Sequence, residues 1–560
     1  MRKTTLLSFM LFTLLAFGQN QKVQYTNSPN SARPNNVQNV NAITSITATI
    51  PYQGYDETAP YLGQGEYEIF ADNVGGVIDK PIILLDGFDP NDSRDIPSIY
   101  GLLDYGAGQN LANDLRNLGY DIVILNFPNY TRPATSTLVS GGSDYIQRNA
   151  MILVELLNQI NALKVGTEKN VVIGPSMGGL IARYGLRYME MNSLNPDTRL
   201  YISFDAPHNG ANIPIGFQHL FNYMAYGPLG DATVQVLVDA MLKSTASREM
   251  LIDQYEGHLQ SGNPTEFDPA ILLPTGKPSF RTAFQSELDA MGFPQNIRNV
   301  AIANGAGNGS MNGTPGMVVM DHTFDVTSTQ RAIINLHFTP LANQTTQVSR
   351  FRGQANVFGF WITAYESAAS SKAPTDTDGL DSAPGGKFDI TSLAGLAGSN
   401  ALLTEFFDNL DIDYFDFVPT NSSLAISGTQ NLYTPVTGSS TTPFAAYYVP
   451  TANENHVTLT TANMAFALNE ILNPPLALAQ NAFPVLQVQN PVEDAVNLFT
   501  PKVISNASVS IADISGKIVF SKNNLTIEGN YQIPVSISSG MYFLNIKNSE
   551  GNMTKKLVKN

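Results

Sequence analysis

The residues best suited to chemistry in this sequence form the stretch Gly174-Pro175-Ser176-Met177-Gly178, a serine with a glycine two positions away on each side. The β-branched run before it predicts a buried strand, and the residues after it have apolar side chains at helical spacing. A G-x-S-x-G motif between a strand and a helix is typical of a nucleophile elbow, whose sharp turn exposes the serine hydroxyl. We therefore predict that Ser176 is a nucleophile.

The elements around this motif alternate between strand and helix. Strands are predicted at Pro81–Leu85, Asp121–Leu125 and Leu200–Phe204, and helices at Ala107–Leu118 and Tyr145–Leu163. Such alternation implies right-handed crossovers and a parallel sheet. The sequence therefore predicts an α/β domain, which we place at residues 67–472.

Two interruptions of the alternation predict inserted structure. Residues 210–298 contain helical segments separated by loops, as expected for a cap over a site, and residues 317–365 are rich in β-type sequence. Residues 364–398 have few large apolar side chains, which predicts a surface loop. Six apolar residues of the cap are candidates either for an acyl-binding surface or for the cap core: Phe217, Leu220, Phe221, Tyr223, Met224 and Tyr226.

The N-terminal sequence, the cysteine content and the net charge restrict the class of protein. Arg2 and Lys3 precede an apolar run, which predicts a secretory signal peptide at residues 1–19, followed by an N-terminal arm at residues 20–66. The chain has no cysteine, so no disulfide framework is expected. A formal net charge of −16 without a basic stripe disfavours nucleic acid and anionic membranes as partners.

The region from about residue 80 to residue 472 resembles the α/β-hydrolase superfamily, in its lipase and esterase branch. The resemblance is carried by Gly174–Gly179, Asp205–Gly210 and Asn453–His456. It implies a mostly parallel sheet with a helical cap, and the chain order nucleophile, acid, histidine. Of the six histidines, His456 lies after the last predicted strand and before the last predicted helix, where this order places the base.

The acid that would orient the imidazole has several candidates. Asp205 directly follows a buried strand after the nucleophile unit, and we take it as the acid. Asp321 follows a later sheet segment, and Asp413 and Asp416 lie where bacterial lipases place their acid. These three aspartates remain alternatives.

An oxyanion formed by serine attack needs two backbone N–H donors. The residue after the nucleophile supplies the first, which predicts Met177. The second would come from Phe88, in the loop after the strand Pro81–Leu85. Asp86-Gly87 replaces the His-Gly common in lipases, but the N–H geometry matters more than the side chain.

The remaining candidate sites favour structural interpretations. Asp376, Asp378 and Asp381 alternate around a glycine as in a calcium loop, but the full twelve-residue pattern is missing, so we predict a solvated turn. Zinc spacings and dinucleotide-binding loops are absent from the sequence, and no cofactor or metal is predicted. The other histidines are predicted to be structural: His208, His219, His258, His322 and His337.

The C-terminal sequence consists of short alternating strands, which predicts an all-β sandwich at residues 483–560 after a linker at residues 473–482. This domain resembles the type A C-terminal sorting domain of the type IX secretion system of Bacteroidota. The resemblance implies export across both membranes, with the secretion machinery as partner. It is carried by Asn490–Asp494, Asp513–Lys517, Ser539–Phe543 and Lys555–Lys559.

Together these features predict a secreted or surface-located serine hydrolase. Its substrate would be a small-molecule or lipid ester of a carboxylic acid, cleaved through an acyl-enzyme. Two alternatives remain open at this point. One is an amidase or acyltransferase that uses the same residues, and the other is a non-catalytic protein for adhesion or glycan binding.

Overall fold

The computed structural model describes residues 42–106, 108–228, 230–391, 401–438, 440–473, 486–548 and 551–559. The predicted signal peptide, the first part of the predicted arm and most of the predicted linker lie outside the described residues. The chain divides into two compact units, Met1–Ala467 and Leu468–Asn560. In the part of the chain that the structure describes, no helix is long and apolar enough to span a membrane.

The strands up to the end of the first unit are β1 Thr44–Thr47, β2 Gln64–Phe70, β3 Pro81–Leu85, β4 Asp104–Tyr105, β5 Gln109–Asn110, β6 Asp121–Asn126, β7 Asn129–Thr131, β8 Leu138–Ser140, β9 Asn170–Pro175, β10 Thr198–Phe204, β11 Arg298–Ile302, β12 Val318–Thr327, β13 Gln330–His337, β14 Thr345–Val357, β15 Phe360–Lys372, β16 Gly385–Asp389, β17 Tyr414–Pro419 and β18 Ala446–Tyr448. The α-helices are α1 Ile96–Gly101, α2 Leu111–Asn117, α3 Ile146–Leu163, α4 Met177–Met191, α5 Ile215–Tyr226, α6 Ala232–Leu237, α7 Thr245–Met250, α8 Arg281–Met291, α9 Ala401–Asp408, α10 Thr420–Ser423 and α11 Thr461–Leu472.

An eight-stranded sheet in the order β1-β2-β6-β3-β9-β10-β11-β18 organises the first unit. β2 is antiparallel to both of its neighbours, whereas the strands from β6 to β18 are mutually parallel. Every residue of β3 and β6 is buried, as expected for parallel strands covered on both faces. The predicted α/β class with a mostly parallel sheet is confirmed.

The sheet begins inside the segment that the sequence predicts as an arm, because β1 and β2 form one edge of the sheet. A buried ion-pair group also attaches this segment to α3. Arg148 of α3 is fully buried and donates to Asp144 Oδ1 at 2.7 Å, and it also pairs with Glu57. Arg132 also pairs with Glu57, so two guanidinium groups and two carboxylates neutralise one another in this region.

The cap region and the β-rich insert pack on each other. Strands β12 to β15 form a four-stranded antiparallel sheet in that order, which extends to Lys372, beyond the predicted end of the insert. Of the six apolar cap candidates, Phe217, Leu220 and Tyr223 are buried on α5 in a cluster with side chains of this sheet. This packing supports the interpretation of these residues as cap core.

One prediction for this region is wrong. In the segment 364–398, predicted as a surface loop, residues 364–391 contain the end of β15 and all of β16, whereas residues 392–398 lie outside the described residues. Leu380 and Ala383 are buried between these two strands. The small residues that suggested a solvated loop are instead positions where backbones approach closely, since a Cβ on Gly385 would overlap Asp416.

After the end of α11, the described part of the second unit is all-β, as predicted for the C-terminal domain. Its strands are β19 Gln487–Val488, β20 Ala495–Asp513, β21 Ile518–Pro534, β22 Gly540–Asn548 and β23 Gly551–Lys559. They form one antiparallel sheet in which β20 pairs with β19, β21 and β22. Register shifts along β20 let this single long strand cover the positions of two predicted short strands. Apolar side chains that alternate along these strands form the core of the unit.

Candidate active site

Ser176 lies in a strained turn between the end of β9 and the start of α4. Its backbone has φ of 53° and ψ of −130°, a conformation that non-glycine residues rarely adopt. The Ser176 N–H donates to the Phe204 carbonyl at 2.9 Å, and the Ser176 carbonyl accepts from the Gly179 N–H at 3.0 Å. These two bonds hold the strained residue in place.

The glycines of the motif are required by backbone crowding. A Cβ on Gly174 would lie 2.5 Å from the Gly178 carbonyl oxygen, and one on Gly178 would lie 2.7 Å from the Asp86 carbonyl oxygen. A Cβ on Gly179 would overlap the Ala206 side chain. The turn can therefore form only with small residues at these positions, which is the reason for the spacing seen in the sequence.

Three of the predicted site residues form one hydrogen-bonded chain. His456 Nε2 lies 2.8 Å from Ser176 Oγ, and His456 Nδ1 lies 2.7 Å from Asp205 Oδ2. Asp205 is fully buried at the end of β10, while the His456 side chain keeps 13% of its surface exposed. The imidazole can thus exchange a proton with the serine on one side while the carboxylate fixes its orientation on the other.

The carboxylate of Asp205 is itself held from the neighbouring strand end. Its Oδ1 accepts from the backbone N–H of Asn304 at 3.0 Å, just after β11. The Asn304 side chain donates to Glu454 Oε2 at 2.9 Å and to the Thr458 carbonyl at 3.0 Å. Asn304 therefore links Asp205 to the loop that carries His456. Sequence reasoning missed it, because an asparagine after a strand resembles an ordinary turn residue.

Strand β16 supports the same loop from the other side. The Lys387 N–H donates to the Glu454 carbonyl at 2.9 Å, and the His456 N–H donates to the Lys387 carbonyl at 2.8 Å. The neighbouring Gly386 faces Asp205 so closely that a Cβ there would overlap Asp205 Oδ2. The Gly385-Gly386 pair is a sequence signal of this close approach, although it lies in the segment predicted as a surface loop.

The alternative acids lie elsewhere or lack a partner. Asp321 and Asp413 are exposed. Asp416 of β17 is fully buried, and neither of its carboxylate oxygens has a hydrogen-bond partner among the described residues. Burial raises the pKa of Asp416 well above its usual range, and the nearby carboxylates of Asp205 and Asp381 add to the shift. The raised pKa favours the protonated, uncharged form of this carboxyl group.

The loop after β3, which contains the predicted oxyanion donor Phe88, passes next to Ser176 at Gly87. A Cβ on Gly87 would lie 3.2 Å from Ser176 Cβ, so the backbone of this loop passes directly beside Ser176. Arg94 holds the loop, because its Nη2 donates to the Phe88 carbonyl at 2.9 Å and its Nε donates to Asp86 Oδ1 at 3.1 Å.

Two further observations concern the surroundings of the predicted oxyanion donors Phe88 and Met177. Burial raises the pKa of Asp86 to about 6, although the Arg94 guanidinium opposes the shift. Met177 is the first residue of α4, where the N–H groups of a helix have no partner within the helix.

Most of the other histidines have buried protein partners. His208 Nε2 lies 2.8 Å from Ser203 Oγ, and burial lowers the pKa of His208 well below its usual range. His219 lies between Ser349 and Ser367, and burial lowers its pKa to about 4. His258 lies 2.6 Å from Asp253, whereas the partly exposed His322 lies 2.7 Å from Glu405.

The predicted calcium-like segment does not gather its carboxylates. Asp378 Oδ1 accepts from the Ala342 N–H, and the buried Asp381 accepts from Asn212 and Thr339. The prediction of a solvated turn is therefore wrong for Asp381, whose pKa burial raises to about 6. Within the described ranges, one group of carboxylates has the spacing of a metal site, namely Asp72, Asp79 and Asp121, but backbone N–H groups occupy oxygens of Asp72 and Asp121.

The sheet order, the turn at Ser176 and the loops at the carboxyl ends of the parallel strands define the first unit as an α/β-hydrolase fold. Residues 489–560 match the family model of the secretion system C-terminal sorting domain. This segment is a sorting domain of the type IX secretion system, which directs the chain to the cell surface or the medium.

Comparison with solved structures gives matches of low identity. A lipase of Bacillus licheniformis in its propeptide form is 10% identical with a TM-score of 0.31, and the match covers 88% of this chain and 96% of that one. The mature form of that lipase is 13% identical with a TM-score of 0.25, over 43% and 72% of the two chains.

An esterase of Pyrobaculum calidifontis is 11% identical with a TM-score of 0.23, and the match covers 47% of this chain and 66% of the esterase, just under two thirds of it. At these values the activities of the neighbours do not transfer to this chain. Among curated proteins, none matches the sequence with significance.

Proposed function

We propose that this protein is an exported serine hydrolase that cleaves esters of carboxylic acids. The observation that carries the proposal is the hydrogen-bonded chain from Ser176 through His456 to Asp205, with distances of 2.8 and 2.7 Å. These distances match the reach that a general base needs to take the proton of a nucleophile. The strained backbone of Ser176 adds support, because such strain costs about 1–3 kcal/mol and is concentrated at functional positions.

In the proposed acylation, Ser176 Oγ attacks the carbonyl carbon of the ester while His456 Nε2 takes the hydroxyl proton. The oxygen of the tetrahedral intermediate becomes negative and accepts hydrogen bonds from the N–H groups of Met177 and Phe88. The intermediate then collapses, the carbon–oxygen bond to the alcohol breaks, and the alcohol leaves with the proton from Nε2. Asp205 stabilises the imidazolium that exists in between.

In the proposed deacylation, water takes the place of the alcohol. His456 Nε2 removes a proton from the water, whose oxygen attacks the acyl carbon attached to Ser176. The second tetrahedral intermediate uses the same two N–H donors. Its collapse releases the carboxylic acid, and Nε2 returns the proton to Ser176 Oγ, which restores the starting state.

The proposal is tested with the full chain and nitrophenyl esters from acetyl to palmitoyl, compared with Ser176→Ala and His456→Ala. We expect both variants to lose nearly all turnover while their melting temperatures stay close to that of the wild type. An organophosphate such as diethyl nitrophenyl phosphate should add one phosphoryl group to the peptide that contains Ser176. Ser203 is a matched internal control, because it is also hydrogen-bonded to a histidine but is fully buried and has no role in the proposal.

The outcomes separate the remaining alternatives. Turnover of nitroanilides but not of esters would assign the same residues to amide hydrolysis. A folded wild type without turnover and without label at Ser176 would refute the proposal and favour the non-catalytic interpretation. Ester turnover that persists in Ser176→Ala would refute the assigned nucleophile.

A further inference from the structure

The most exposed apolar feature of the first unit is the tip of the β14–β15 hairpin. Val357 pairs with Phe360 across a two-residue turn made of Phe358 and Gly359. Phe358 is 97% exposed and Phe360 is 75% exposed, and among the described residues no other large apolar side chain is as exposed as Phe358. Ile362 on the same hairpin is also exposed. A soluble protein gains nothing from such a tip unless something covers it.

The backbone of the turn makes the phenylalanine costly. Phe358 has φ of 51° and Gly359 has φ of 89°, the combination found in a two-residue type I′ hairpin turn. Asn, Asp and Gly are favoured at the first of these positions, whereas a bulky aromatic residue there is an outlier. Because Phe358 is almost fully exposed, packing within this protein does not explain its presence. The unusual backbone conformation of Phe358 therefore indicates that this side chain serves a contact with another molecule.

The side chains below the tip change from apolar to charged in layers. Trp361 lies just below the tip, and the Arg331 guanidinium lies 4.3 Å from its ring centroid. Arg331 Nε also donates to Gln354 Oε1 at 2.7 Å. Gln354 lies four residues before Phe358, which corresponds to about 13 Å at the rise of an antiparallel strand. Further down, Arg350 pairs with Glu366 at 2.6 Å. A lipid surface has the same order of layers, with apolar acyl chains first, then polar headgroups and then water. Tryptophan and arginine side chains prefer the headgroup level of such a surface.

We propose that this tip docks the exported chain on a zwitterionic phospholipid surface. Phe358 and Phe360 insert among the acyl chains, and Trp361 and Arg331 lie at the headgroups, where the guanidinium meets lipid phosphate. Zwitterionic rather than anionic lipid fits, because the chain carries a net charge of −16 and is repelled by an anionic surface. The turn is too small to supply the roughly 800 Å² per partner of a stable protein dimer. This inference is independent of the proposed hydrolysis.

Trp361 is the single tryptophan of the chain, so its fluorescence reports on the tip alone. The experiment titrates the full-length Ser176→Ala variant, which removes the proposed turnover of lipid, with phosphatidylcholine vesicles. We expect a blue shift of the emission, quenching by lipids brominated near the headgroup end of the acyl chain, and co-sedimentation with vesicles. Sodium chloride at 0.5 M should leave binding largely intact, because apolar insertion drives it.

The decisive variant is Phe358→Asn in the same background. Asparagine tolerates the positive φ, so the melting temperature should stay equal or rise, while the vesicle partition coefficient should fall about ten- to a hundredfold, the factor for burying one phenylalanine. Phe360→Thr, which keeps a β-branched residue in the strand, should act in the same direction. Val74→Asn removes an apolar side chain that is 74% exposed elsewhere and should leave binding unchanged.

Several results would overturn the proposal. These are no vesicle binding, a blue shift that survives in Phe358→Asn, or an equal loss in Val74→Asn. Binding to an insoluble polysaccharide that depends on Phe358, without vesicle binding, would assign the tip to glycan. A dimer that is lost in Phe358→Asn would assign it to a second copy of the chain.

Discussion

The orientation of the amide in an Asp205→Asn variant can be worked out from the contacts of Asp205. Oδ1 accepts from the Asn304 N–H, so the oxygen of the new amide is expected to stay at that position. The amide NH₂ then occupies the position of Oδ2 and faces His456 Nδ1, which lies 2.7 Å from Oδ2 in the wild type. Nδ1 must then accept a hydrogen bond, and the imidazole proton moves to Nε2.

That tautomer cannot accept the proton of Ser176, because Nε2 already carries one where it faces Ser176 Oγ. When an enzyme of this type has the wrong tautomer, kcat falls about 10⁴-fold, which corresponds to about 5.4 kcal/mol of transition-state stabilisation. KM should change little, since no group that contacts substrate is altered. We therefore expect kcat for nitrophenyl butyrate to fall about 10⁴-fold in Asp205→Asn.

Asp416→Asn is the matched control, since Asp416 is a buried carboxyl group near Asp205 but without a hydrogen-bond partner in the described structure. Because the folded state raises its pKa, the unfolded chain ionises Asp416 first, near pH 4, and wild-type stability falls as the pH rises above that value towards the folded pKa. Asparagine cannot ionise. The variant should therefore keep kcat within about threefold and gain melting temperature relative to the wild type across this pH range.

Steady-state kinetics with titrated active sites, together with thermal melts between pH 4 and 8, test both expectations. Retained activity in Asp205→Asn with loss in Asp416→Asn would refute the assignment of the acid. A 10⁴-fold loss in both variants would mean that the two carboxyl groups act as one unit, contrary to the contacts described above.

Three further predictions follow from the same contacts. Gly386→Ala should lower kcat about a hundredfold at a melting temperature that still shows a folded protein, because the new Cβ displaces the Asp205 carboxylate by about 1 Å; unchanged kcat would contradict this close approach. Arg148→Met should reduce the free energy of unfolding in urea by about 3–5 kcal/mol, because it removes the buried cation from Asp144 and leaves Glu57 with Arg132 only; a change below 1 kcal/mol would contradict that account. Arg94→Ala should lower kcat for a soluble ester about tenfold with little change in KM, because the Phe88 carbonyl loses its support; a change in KM alone would instead indicate a role in binding.

The sequence predicted those parts of the molecule whose signals are local. Buried apolar runs located β3, β6, β9 and β10, and the glycine spacing around Ser176 located the turn. The residues chosen as nucleophile, base and acid are brought together by the fold, because two lie at the ends of neighbouring parallel strands and the third on a late loop.

The parts that escaped prediction depend on contacts between distant segments. Asp205 and Asp416 are both candidates for the acid in the sequence, and only the position of the His456 loop decides which one contacts the imidazole. Asn304 bonds both to Asp205 and to that loop without any local sequence signal, and the Gly385-Gly386 pair indicates a close approach without indicating that its partner is Asp205. The order of the strands β12 to β15 likewise follows from pairing that periodicity does not specify.

The site is assembled from segments that are far apart along the chain. The hydrogen bond from His456 to Ser176 joins residues 280 positions apart, and the one to Asp205 joins residues 251 positions apart. Contacts of such long range form only after large loops have closed, which makes them late events in folding. A nascent or truncated chain that ends before residue 450 would hold the serine in its strained turn without any base beside it. In a hydrolase of the proposed kind, turnover would therefore begin only when the first unit has completed its folding.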